Sequence, residues 1–73
     1  MSAAAVIGES ARTAGFALAG ALVCPAENAD EARAAWSCLP ADVAVLLLTP
    51  RAAAWLGSAP LARRDVLLAV MPP

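Results

Sequence analysis

The residues best placed for chemistry sit in one short turn, Gly8-Glu9-Ser10, and its continuation Ala11-Arg12-Thr13-Ala14-Gly15. A glycine at the carboxyl end of a first strand marks the place where open α/β sheets hold ligands. Free N–H groups at the start of a following helix favour an anion there. Pyrophosphate binding, however, needs Gly-x-Gly-x-x-Gly, and six residues separate Gly8 from Gly15. The phosphate loop ends in Gly-Lys-Ser/Thr, and this chain contains no Lys. Both phosphate fingerprints are therefore absent.

Other reaction classes lose their essential groups. There is no His, so a Ser or Cys nucleophile lacks its usual base. Cys24 and Cys38 are the only thiols, too few for a structural zinc site, and they read as reduced core residues. Asp42 and Asp65 each precede an apolar run and belong to solvated loops, and Arg63-Arg64 reads as a solvated pair. Phe16, Trp36 and Trp55 are core aromatics by this pattern, although Trp at a helix end also serves as an interface hot spot. The expectation is a chain with no catalytic residues, no metal and no cofactor. The alternative is a small-ligand or nucleotide-binding module using a crevice at Gly8-Glu9 and Thr49-Pro50.

The elements that would position these residues follow from pattern. Ala3–Ile7 is a short apolar strand turning at Gly8-Glu9, with Ser10 as cap of a helix reaching about Ala19. Gly20 is a natural left-handed terminator, and Ala21–Cys24 forms a second strand that Pro25 ends. Asn28 caps the next helix, with Asp30 and Glu31 in its first turn, where the helix dipole favours acids. Ala29, Ala32, Trp36 and Leu39 share one face of it, and Pro40 stops it. Val43–Thr49 is a continuous apolar run of strand length, as expected of a central parallel strand. Thr49-Pro50 caps and starts a third helix, which Gly57 ends. Ser58-Ala59-Pro60 is a loop, Leu61–Asp65 is open between loop and helical turn, and Val66–Val70 is a fourth strand.

This β-α-β-α-β-α-β alternation predicts a small four-stranded parallel sheet, order 2-1-3-4, with three helices in a receiver-like or Rossmann-like α/β domain. The first helix then covers one face over strands one and two, and the other two helices cover the opposite face. Strands three and four are left bare on the first helix's side, although both are apolar. That predicts a partner chain, a further segment or self-association at this face. Phospho-acceptor chemistry, which shares this topology, would need paired acids after strand one, an Asp ending strand three, and a Lys. The chain offers only Glu9 and Thr49.

Composition sets the remaining bounds. A chain of 73 residues is one domain, and at this size about 60–65% of the unfolded surface is buried, so stability is marginal. Hydrophobic residues make up 62% but aromatics only 4%, because alanine dominates. Five dispersed Arg against six acids give a net charge of -1, which does not suit a nucleic-acid groove. The longest uncharged stretch, Thr13–Ala26, has 14 residues and is interrupted by Gly15, Gly20 and Pro25. A membrane-spanning helix takes about 20 residues, so direct insertion is not expected. With no basic, signal-like amino terminus, a cytoplasmic location is expected.

The run AVIGE followed by TAGFALAG resembles the beginning of the F subunit of the vacuolar/archaeal-type rotary ATPases. VAVLLLTPRAAAWL is similar to that family's third strand, Thr and following helix, and DVLLAVMPP to its last strand and proline. Asn28–Ala35 resembles the acid-and-alanine helix between them. Gly15, Phe16, Leu18, Ala19 and Gly20 carry most of the likeness, which spans nearly the whole chain. It implies a non-catalytic central-stalk component of a proton- or sodium-translocating ATPase. Such a component sits beside the coiled-coil D subunit, with the catalytic head as a further partner, and modulates coupling and ATP hydrolysis or synthesis. Its implied location is peripheral, on the cytoplasmic side of the membrane. Gly8, Glu9, Arg12, Gly15, Phe16 and Gly20 are the implied signature or contact residues; by their own types, Gly15 and Gly20 are expected to bring the first helix close to the sheet, with Phe16 as its anchor. The family continues past its last strand into a C-terminal helix, whereas this chain stops at Pro73.

Overall fold

Three successive residues with branched or small apolar side chains, Ala5, Val6 and Ile7, are wholly buried, although they alternate between opposite faces of one strand. Only a strand covered on both faces can do this. That strand, β1 (Ala3–Gly8), lies between β2 (Leu22–Pro25) and β3 (Val43–Leu48), and β4 (Leu67–Val70) completes the sheet on the far side of β3. The computed structural model describes residues 3–59 and 66–72. The span Leu61–Asp65, with the Arg63-Arg64 pair, lies outside them. All strand pairs are parallel and the order is β2-β1-β3-β4, as the alternation predicts.

One irregularity explains the burial pattern of β3. Ala3 pairs with Val43 but Ala4 pairs with Val45, so Ala44 is an extra, bulged residue. The bulge flips the parity of the residues after it. Val43, Leu46 and Leu48 therefore all join the main core with Ala5 and Ile7, while Val45 and Leu47 face the other way.

That core lies between the sheet and two helices, α2 (Ala29–Ser37) and α3 (Pro50–Leu56). The expected caps hold both in place. Asn28 Oδ1 accepts from Glu31 N at 2.8 Å, and Thr49 Oγ1 accepts from Ala52 N at 3.3 Å with Pro50 at the first helical position. Glu31 Oε1 in turn accepts from Glu27 N, one residue upstream of the usual partner in a capping box. Ala32, Ala52 and Leu56 are buried against the sheet, and Trp36, Leu39 and Trp55 are half-buried around them.

The first helix departs from expectation. Only Ser10–Thr13, α1, is α-helical, and Ala14–Ala19 continues as a 3-10 segment. Gly15 inside this segment lowers helix propensity by about 1 kcal/mol relative to Ala, a physical reason for the change. Nor does Ser10 cap the helix, because it is the first helical residue. Glu9 takes the cap position without a side-chain cap bond, and Ser10 N donates instead to Glu27 Oε2 at 2.9 Å. Gly20, at φ +87°, ends the segment, with Ala21 N donating back to Phe16 O at 3.3 Å. This is the long-range bond of a Schellman turn.

Cys24 is half-buried against the core and Cys38 is exposed, so only the first fits the expected core role. Both are free thiols, and burial pushes the Cys24 thiol above its ordinary value.

Candidate functional site

In a parallel sheet of order 2-1-3-4, the chain leaves β1 and β3 toward opposite faces, and ligands bind in the crevice this creates. Here that position brings together Gly8 and Glu9, leaving β1, with Thr49 and Pro50, leaving β3. The crevice is filled by the protein itself. Thr49 Oγ1 donates to Glu9 Oε1 at 2.5 Å while also accepting from Ala52 N. Thr49 is fully buried. A Cβ on Gly8 would fall 2.6 Å from Thr49 Oγ1 and closer still to Cγ2, so the glycine is required by the close approach of β3's exit to β1's.

Electrostatics at this edge are set by carboxylates. The Thr49 hydroxyl, first among several causes, holds the Glu9 carboxyl below its ordinary value. Glu9's own backbone N–H, Arg51 and Arg12 add to this, against slight desolvation. Glu27 presents a second carboxylate to the start of α1 through Ser10 N. Arg12 N and Thr13 N are satisfied by Glu9 O, and Thr13 Oγ1 donates to the same oxygen at 3.1 Å. Ser10 N, Arg12 N, Thr13 N and the Thr49 hydroxyl are thus engaged by the chain's own oxygens, two of them on carboxylates.

The implied signature residues do not form one cluster. Gly8 and Glu9 meet at the switch point. Arg12, exposed on α1, reaches past it: Nη2 donates to Pro72 O at 2.8 Å, tying the first helix to the exit of β4. Gly15 and Gly20 are exposed, and an added Cβ at either would meet nothing within 4 Å. Their expected role in bringing the helix close to the sheet is therefore not observed. The close-approach glycine is Gly8. Phe16 is half-buried and stands outside the main core, a weaker anchor than expected. Glu27 and Pro72 also contribute to this edge, although their residue types do not mark them for it. The only available signal is topological, since both leave strands whose ends lie beside that of β1 or β3.

A second feature lies on the α1 side of the sheet. Register places Ala4, Val6 and Gly8 of β1, Val45 and Leu47 of β3, and Leu67 and Ala69 of β4 on this face. Val6 and Thr13 are wholly buried here, where α1 lies against β1 and β2. Beyond β1 no described helix covers this face. Val45 and Leu47 are half-buried, Ala69 is exposed, and Leu67 is 69% exposed. The result is an apolar floor with no charged residue in β3 or β4, bounded at one end by the Arg12–Pro72 contact. No described helix is long and apolar enough to cross a membrane. Among the described residues no group of three or more His, Cys, Asp or Glu is disposed to hold a metal ion.

Compared with known proteins, the chain matches no family model, no curated protein and no solved structure.

Proposed function

We propose that this chain is a non-catalytic docking domain that works through its bare apolar floor on β3 and β4. The observation that carries this reading is the exposure of Leu67 beside Val45, Leu47 and Ala69 on one uncharged face. Contiguous apolar surface of this kind is where proteins meet partners. The partner we propose is the coiled-coil stalk of a vacuolar/archaeal-type rotary ATPase, its D subunit, with the chain in the role of the F subunit. Support for that partner comes from the sequence resemblance alone. Stated chemically, the floor calls for an elongated helix offering an apolar stripe.

A nucleotide- or small-ligand-binding module is the second reading, favoured by the meeting of Gly8-Glu9 with Thr49-Pro50 at the switch point. The Glu9 and Glu27 carboxylates on the local donors count against a phosphate there. Co-purification from the native source, followed by mass spectrometry, separates the two. Recovery of rotary-ATPase subunits, with no thermal shift on adding ATP, is expected. Recovery of none of those subunits contradicts the stalk assignment, and a nucleotide-dependent thermal shift favours the second reading.

A further inference from the structure

We propose that the outer edge of β4 is a self-pairing surface, at which two copies of this chain join as antiparallel strands about a two-fold axis at Ala69. Met71 N donates to Leu48 O at 2.8 Å, which fixes the direction of every backbone group along β4. Residues 67, 69 and 71 turn their N–H and C=O groups toward β3, so Leu68 and Val70 turn theirs outward. No described residue pairs with that outer edge.

Proteins ordinarily blunt such an edge with charges, a proline or a bulge. Leu67-Leu68-Ala69-Val70 carries none of these. Leu67 on one face and Val70 on the other stay exposed, at 69% and 53%. The opposite edge strand, β2, does end in a proline, Pro25.

Symmetry then selects a second copy of this chain as the occupant. With the axis at Ala69, Leu68 faces Val70 of the other copy and Val70 faces its Leu68, so the outward N–H and C=O groups of both strands meet in hydrogen-bonded registry. Leu67 falls opposite Met71 on the floor side, and Leu68 opposite Val70 on the core side. An uncharged strand is its own complement in this arrangement, as an isologous contact requires. Pro72 has no N–H to offer and its carbonyl is taken by Arg12, and on the other side Val66 lies at a bend before the strand, so a shift in either direction loses a bonded pair. A helical partner, by contrast, could cover the floor but could not satisfy the edge's backbone groups. The contact is small, so the dimer exchanges readily, and it joins two sheets into one of eight strands with both floors on the same side.

The proposal does not depend on the stalk assignment, and its test uses neither ATPase subunits nor nucleotide. Ala69 is exposed, and its side chain lies next to that of its symmetry mate, where like charges directly opposite repel. The full chain and its Ala69→Lys and Ala69→Glu variants are compared by sedimentation equilibrium at high micromolar concentration, with circular dichroism checking that each is folded. The chain itself is expected at twice the 7.3 kDa monomer mass and each variant at the monomer mass. An equimolar mixture of the two variants should return to the dimer mass. A monomeric parent chain, or folded variants that stay monomeric when mixed, overturns the proposal. So does a dimer that both variants leave intact.

Discussion

The Thr49 side chain occupies the space that a Cβ on Gly8 would need, with Oγ1 only 2.6 Å from that position. The two residues end neighbouring strands at the switch point of the sheet, and their contact closes the place where related architectures hold ligands. Gly8→Ala is expected to destabilise the chain by about 1–3 kcal/mol through overpacking. Combining it with Thr49→Ser, which removes the methyl in closest contact, should recover part of that loss. Urea unfolding midpoints of the single and double variants measure the coupling, and additive losses would show that the two side chains do not compete for space.

Thr49 also anchors charge. Its hydroxyl lowers the Glu9 carboxyl from an ordinary value of 4.5, so the folded chain binds this proton less readily than the unfolded chain. Stability from the contact is fully present above 4.5 and is lost as pH falls through the lowered folded value. Glu9→Gln should therefore flatten the decline of the urea midpoint on the acid side of 4.5, and Thr49→Val should do the same. An unchanged acid slope in both variants would remove this contact from the pH dependence.

The cap of α2 is a local energetic feature independent of the crevice. Asn28→Ala leaves Glu31 N without its acceptor and should cost about 1 kcal/mol. Asn28→Asp keeps an acceptor in place and should cost much less. Thermal unfolding of both variants checks the order.

Leu67 stands 69% exposed on the bare floor, so replacing it with Lys removes little packing. Stability of Leu67→Lys is expected within about 0.5 kcal/mol of the parent. The same change should abolish binding of the stalk coiled coil, because a charge would have to be buried in an apolar contact. Calorimetric titration of parent and variant reads both the affinity and its loss.

Much of the fold was legible from the chain because local and global signals agreed. The strand order rests on the alternation of strands and helices, and the Asn28 and Thr49 caps, Pro50 at a helix start and Gly57 at a helix end rest on residues with single local uses. The first helix was less legible. Alanine-rich sequence has helical propensity, but Gly15 lies where the segment tightens to 3-10 geometry. The bulge at Ala44 carries no composition signal, so which residues of VAVLLL enter the core could not be read from a run that is apolar throughout. At the candidate site, Glu9 and Thr49 were each visible as strand-end residues. Their hydrogen bond spans 40 positions in the chain and depends on β1 and β3 being neighbours. The bare floor was legible for the opposite reason. Three helices cannot cover both faces of four strands in this order, and the apolar composition of β3 and β4 marks what remains uncovered.

We propose that the chain acts by docking a helical partner on β3 and β4. Backbone amide spectra of the isotope-labelled chain, recorded while a rotary-ATPase stalk coiled coil is titrated in, test it most directly. Saturable shifts centred on Val45, Leu47, Leu67 and Ala69 are predicted, with Asn28 and its α2 neighbours unmoved. An unchanged spectrum, or shifts confined to the Gly8–Thr49 edge on adding ATP in place of the coiled coil, would contradict it.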